Sequence, residues 1–370
     1  MLRFLLRQAR AALLPGGAPR TALLITGPLI MGPLIMGLAA CHSAPAKAPE
    51  PPPPAPKLAP AQQPPVLSLA PSPPILLQAV GFLSPQAAVH DPEADVYLVS
   101  NGNGGPTDAD GNGFISRVSP EGALLALKWI DGAAGAALDA PKGMALSEDK
   151  LYVADINVVR SFDRKSGEPL SKVAIIGARY LDDLAFAPDG TLYVSDTGLA
   201  KPKKGKGTEL QKSGADAIYA VDARGVSRLF VKGPELGQPT GLLADATGLW
   251  VANLSGELFR VSAEGKRFPG ARLPGAGLQG LVETEAGSLV LACSETSTVY
   301  LGKRRDVVPG GVVPGAESDA PAVPAPPAAF DPLITEISSP GRIGYDRKRR
   351  QLLVPLLKDD SLYIQQIPAR

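Results

Sequence analysis

Few residues in this 370-residue chain are grouped in a way that could do chemistry. Asp108-Ala109-Asp110-Gly111-Asn112-Gly113-Phe114-Ile115 opens like a calcium-binding loop, with oxygen side chains at Asp108, Asp110 and Asn112 and a turn glycine after them. The twelfth position is Ser119, where such loops need a bidentate glutamate, so a Gly-rich loop turning back into a strand is the competing reading. Lys201, Lys203, Lys204, Lys206 and Lys212 crowd one segment, either to meet phosphate groups or as a solvated loop. Histidine occurs only at His42 and His90, so a Ser-His-Asp triad would depend on His90, and no nucleophile motif points to it. Cysteine occurs only at Cys41 and Cys293, and no Cys or His cluster suggests zinc or haem. A calcium or other divalent ion is the only cofactor these residues suggest.

The elements that must position these residues are repeats. Segments at 97–101, 151–155, 192–196, 249–253, 289–293 and 352–356 share one apolar pattern, of the type Leu192-Tyr193-Val194-Ser195-Asp196, and each reads as a buried strand. A strand such as Gly143-Met144-Ala145-Leu146 precedes most of them, joined by turns like Ala187-Pro188-Asp189-Gly190. Alternating strands follow, Ile218-Tyr219-Ala220-Val221 and then Arg228-Leu229-Phe230-Val231 among them. Four short antiparallel strands repeated six times predict an all-β, six-bladed β-propeller, because each small sheet buries its faces only against its neighbours. A globular sandwich is the structural alternative. Residues 75–82 precede the first blade and are expected to add a strand to the sixth. The longer intervals carry insertions at 101–113, 199–214 and roughly 309–332.

Aligned on the residue that opens the first strand of each repeat, Gln86, Lys142, Asp182, Thr240, Gln279 and Gly341 take equivalent places around the axis. Only Asp182 is an anion, and a register one residue off would put Asp183 there instead. Lys142, on the neighbouring blade, is expected to pair with Asp182. Asn101, Asp155, Asp196 and Asn253 end strands in four repeats, and such recurrence points to loop hydrogen bonds in each blade rather than to one active site. Cys293 lies in the run Leu289-Val290-Leu291-Ala292-Cys293 and reads as a buried thiol acting as a small hydrophobe.

The first forty residues carry Arg3, Arg7, Arg10 and Arg20, no acidic residue, and an apolar stretch ending Leu38-Ala39-Ala40-Cys41. That ending resembles the bacterial lipobox, which makes 1–40 a signal peptide and Cys41 the lipidated N-terminus of the mature chain. A transmembrane anchor at 21–40 is disfavoured by Pro28 and Pro33, which would interrupt any helix. His42, rather than aspartate, follows the cysteine, which favours the outer membrane, facing the periplasm. Residues 41–75 are dominated by Pro and Ala and read as a tether; some thirty residues in polyproline form reach at most roughly 100 Å. The whole chain has a net charge of +1; removing four arginines leaves about −3, which implies no nucleic-acid partner.

Asp110-Gly111-Asn112-Gly113-Phe114-Ile115-Ser116-Arg117-Val118, Ala140-Pro141-Lys142-Gly143-Met144-Ala145 and Leu192-Tyr193-Val194-Ser195-Asp196-Thr197-Gly198 resemble the regucalcin and gluconolactonase-like family. Ile343-Gly344-Tyr345-Asp346 and Leu352-Leu353-Val354-Pro355 extend the resemblance, which covers about 76–370. It implies a six-bladed propeller with a divalent metal at the mouth of the central channel, held by Glu, Asn and Asp. In catalytic members that metal polarises a lactone carbonyl or activates water, and an acidic residue handles the proton. Gln86, Thr240 and Gln279 stand where the resemblance would put those ligands, and all three are neutral. The expectation is therefore a monomeric, lipid-anchored envelope propeller that has lost the metal site and binds a small molecule or a protein on the face bearing the insertions. A metal-dependent lactonase or esterase is the alternative, and a structural envelope component the third class.

Overall fold

A computed structural model describes residues 72–135, 137–202, 209–307 and 330–368. Cys41 and the tether, Lys203, Lys204 and Lys206, and most of the third insertion lie outside the described residues.

The six second strands are Val96–Asn101, Lys150–Asp155, Leu192–Asp196, Gly248–Asn253, Ser288–Cys293 and Gln351–Leu356, and they are buried over most of their length, as their apolar runs predict. Each sits second in a four-stranded antiparallel sheet. The innermost partners are Pro85–Asp91, Pro141–Leu146, Leu181–Phe186, Pro239–Asp245, Leu278–Glu283 and Gly344–Asp346. The third strands are Phe114–Val118, Val158–Asp163, Ala217–Val221, Glu257–Ser262, Thr298–Lys303 and Ser361–Gln366. Innermost strands of successive blades adjoin one another, and that of the sixth adjoins that of the first, so the ring closes. The sandwich alternative is excluded.

The outermost strands are Leu124–Ile130, Pro169–Ala174, Ser227–Lys232, Ala271–Arg272 and Phe330–Ile334, with the sixth supplied from the N-terminal side by Ile75–Leu77. Ile75 pairs with Ile364 and Leu77 with Leu362, so the first strand of the body completes the last blade. Pro332, expected inside the third insertion, instead pairs with Tyr300 in the outermost strand of blade five. Proline is admissible there because only one edge of an outermost strand is hydrogen-bonded.

Among the described residues, six apolar clusters fill the six seams between blades and take the place of a single core. Between blades one and two, for example, Leu98 and Ile115 meet Leu151, Val153 and Phe162. A sheet that buries both faces against neighbours needs apolar side chains on both, which is why the second strands read as continuous apolar runs.

Candidate functional site

Pro85 pairs with Asn101 and Pro141 with Asp155, so the innermost strands begin at the end where the second strands finish. The loops 101–113 and 197–216 leave from that same end, which makes it the face of the first two insertions. Lys201 of one insertion donates to Asp108 of the other at 2.5 Å, joining them across the rim. The third insertion follows Lys303, which pairs with Ser288 at the opposite end of its blade.

Gln86, Lys142, Asp182, Thr240 and Gln279 each occupy the second position of an innermost strand, so the aligned ring exists. In five blades the pairing register shifts just there, and such irregularities re-aim side chains. The ring residues nevertheless diverge in role. Thr240 turns its hydroxyl away from the channel, toward the Leu278 carbonyl of the next blade at 2.7 Å and the Ala252 carbonyl at 3.0 Å. Ser100 and Ser195 bridge other seams in the same manner, donating at 2.7 Å to the carbonyls of Lys142 and Thr240. Gln86 directs its amide nitrogen to the Ser84 hydroxyl at 2.9 Å.

Lys142 does not pair with Asp182. Its ammonium donates to the carbonyl of Pro106 at 2.9 Å and of Ala140 at 3.3 Å, and it lies 4.1 Å from the centroid of the Tyr180 ring. Burial pushes this ammonium down to about 8, against the attraction of Asp182.

The partner of Asp182 is Arg342, which the repeat alignment passed over by stopping at Gly341. The Arg342 backbone is pinned to blade one: its N–H donates to the Gln86 carbonyl at 3.0 Å, and the Ala88 N–H donates to its carbonyl at 3.2 Å. From blade six its guanidinium reaches Asp182 on blade three, the opposite side of the ring, so the ion pair crosses the axis. Both residues are buried, at 5% and 1% exposure. Burial acts against the Arg342 charge, but Asp182 outweighs it and raises the guanidinium above its ordinary value.

Asp183 is a second buried carboxylate near the axis, which the aligned ring did not include. It accepts from the Leu242 N–H at 2.9 Å, and burial pushes its carboxyl up to about 6. It has room because its counterpart in blade two is Gly143, where a Cβ would lie 2.6 Å from the Asp183 Oδ1. In blade five the counterpart is Gly280, whose φ of +46° and approach to Arg342 leave no place for a side chain.

Two cavities flank this charged layer. The mouth cavity, about 480 Å³, is lined by Gln86, Lys142, Tyr180, Gln279, Glu295 and the 102–106 loop among others. The cavity at the far end, about 230 Å³, is lined by Asp183 and Arg342 with mainly apolar neighbours such as Met144, Leu184 and Leu281.

The architecture has solved counterparts. A putative gluconolactonase superposes with a TM-score of 0.55 at 16% identity, over 80% of this chain and 93% of that one. Luciferin-regenerating enzyme gives 0.55 at 12% identity, over 80% and 96%. Virginiamycin B lyase from Staphylococcus aureus gives 0.51 at 10% identity, over 80% and 99%. No family model matches the chain, and no curated protein matches it in sequence. The chain has the six-bladed β-propeller fold of these proteins. The resemblance read from the sequence is thus borne out at the level of the fold.

Within this propeller, the residues at the channel mouth do not fit the divalent metal that the resemblance implies. A hard cation needs six or more converging oxygens, preferably anionic. Here the Asp182 carboxylate is held by a guanidinium, Glu295 accepts from the Ala276 N–H, the Thr240 hydroxyl serves a blade seam, and an ammonium stands in the ring.

The remaining candidates are also placed. Asp110 is turned to the Asn112 amide at 2.7 Å and Asp108 to Lys201, while Ser119 lies beyond the strand Phe114–Val118, so the calcium-like run does not converge on one point. His90 lies 3.2 Å from Asp95 and 3.4 Å from Asp346, both also bound by Arg349, in the seam between blades one and six and with no serine among its partners. The strand-ending residues tie down the loops that enter the innermost strands: Asp196, for instance, accepts from the N–H groups of Arg179, Tyr180 and Gly198 at 2.8–2.9 Å. Cys293 does the same in blade five, its buried thiol donating to the Ala276 carbonyl at 3.2 Å.

Proposed function

We propose that the chain is a lipid-anchored propeller of the bacterial envelope that binds a small ligand in the channel mouth and does not turn it over through a metal. The observation that carries this reading is the Arg342–Asp182 pair across the axis, which sets a guanidinium where metal-dependent chemistry in this fold would need converging oxygens. The mouth cavity supports a binding role: at about 480 Å³ it falls within the ~300–1,000 Å³ of small-molecule sites. The sequence Leu38-Ala39-Ala40-Cys41 supports anchoring. A metal-dependent lactonase is the second reading, favoured by the structural likeness to proteins named gluconolactonase.

The full chain in detergent, assayed on lactones and aryl esters with calcium, manganese or zinc, separates the two. No turnover above the rate of the metal alone is expected, with or without chelator. Metal-dependent hydrolysis that disappears in Asp182→Ala would establish the lactonase instead. For the anchor, cells labelled with palmitate are expected to label the wild-type protein, while Cys41→Ser takes up no label and leaves the membrane fraction. An unlabelled wild-type protein would refute lipidation.

A further inference from the structure

The mouth cavity ends on a buried cation that no anion matches. Lys142 is 1% exposed, and among the described residues no carboxylate lies within ion-pair distance of it. An ammonium carries three donors. Two go to the carbonyls of Pro106 and Ala140, and the third has no acceptor among the described residues. Burying an ammonium without a paired charge is costly, and a bound anion would relieve that cost.

The rest of the lining narrows the chemistry. Arg342 is held by Asp182 and does not line the mouth cavity, and the other cation that lines it, Lys358, is exposed, so Lys142 is the one buried cation facing it among the described residues. Glu295 also lines the cavity and would repel a second negative charge. The Gln279 side chain and the Tyr180 hydroxyl have no hydrogen-bond partner among the described residues, and the side-chain oxygen of Gln86 is likewise open. Such a site suits a singly charged group with a polar, neutral remainder.

We infer that the mouth cavity takes a small organic monocarboxylate, its carboxylate on the Lys142 ammonium and its polar remainder against Gln86, Gln279 and Tyr180. This specifies the ligand class of the binding reading above and rests on it. The groups that set the charge of Lys142 are Asp182 and Asp155, which favour the ammonium, and Arg342, which opposes it, with the Tyr180 ring against one side. Because the ammonium titrates near 8, the carboxylate should bind well below that pH, take up protons on binding near it, and bind about tenfold more weakly for each pH unit above it.

The test is calorimetry on the full chain in detergent with acetate, lactate, glycerate and benzoate, each beside its primary amide, and with glycerol phosphate. At least one carboxylate is expected to bind tenfold or more tightly than its amide and than the phosphate ester, and Lys142→Met is expected to erase the preference over the amide. Equal binding of acid and amide, or a preference that survives in Lys142→Met, overturns the inference. If Lys142→Met does not fold, the wild-type pH series decides, since an affinity flat between pH 7 and 10 overturns it equally. Preference for the phosphate ester, or no carboxylate bound, sinks the ligand class and leaves the binding reading standing. Metal-dependent turnover sinks both.

Discussion

Asp182 and Arg342 would each be costly alone in the channel, and they sit there as a pair. A buried ion pair adds little net stability, because desolvation of both charges offsets their attraction, but removing one member strands the other. Arg342→Met is therefore expected to destabilise by about 3–5 kcal/mol, and the double variant Asp182→Leu with Arg342→Met to recover most of that loss. Urea unfolding of the two single variants and the double variant measures the coupling; a double variant no more stable than Arg342→Met would show that the pair is not the reason. The sequence made half of this pair legible. Asp182 stands out because the other strand-opening residues carry no negative charge. Arg342 was hidden because Gly341 takes the aligned position and because the contact crosses the ring, a relation that no local pattern records. The role of Thr240 was hidden for a similar reason: its hydroxyl serves a blade seam, a contact with the next blade that its place in the repeat does not record.

At the scale of elements, the repeats carried nearly all of the information. Apolar second strands are recognisable because both of their faces are buried, and the acids and amides that close them recur because each must hold the loop entering its own blade. The same logic explains Cys293, whose position in the repeat rather than its reactivity fixes its contact with Ala276. The third position of the innermost strands follows a different rule. Ala87, Gly143, Gly241 and Gly280 are small there, while blade three has Asp183, which lies against Gly143; Arg342, just ahead of the blade-six strand, lies against Gly280. Boundaries were the weaker part of the reading. The spacing of the repeats put the end of the third insertion at roughly 332, yet Pro332 already pairs with Tyr300 in an outermost strand, where proline is admissible.

At the scale of the whole molecule, the two ends of the propeller meet in one three-residue strand. Ile75–Leu77 is the outermost strand of a blade whose other three strands come from the C-terminal end of the chain, so it fastens the two ends of the propeller together. Leu77 is buried at 4% exposure in the seam cluster that also contains Tyr97, Leu353 and Leu362. Truncating its side chain removes packing at the point where the ring closes, and Leu77→Ala is expected to cost about 2–5 kcal/mol. Deleting the chain through Leu77 should do more, because the strand Ser361–Gln366 then becomes an open edge able to pair with another copy. A protein beginning at Ser72 keeps the strand and serves as the reference. The expected outcome is a lower urea midpoint for both altered proteins, with self-association by light scattering only in the deletion. If the deletion unfolds at the same urea concentration as the reference and stays monomeric, the closure is ornamental, and the five blades with their own outer strands hold the ring unaided.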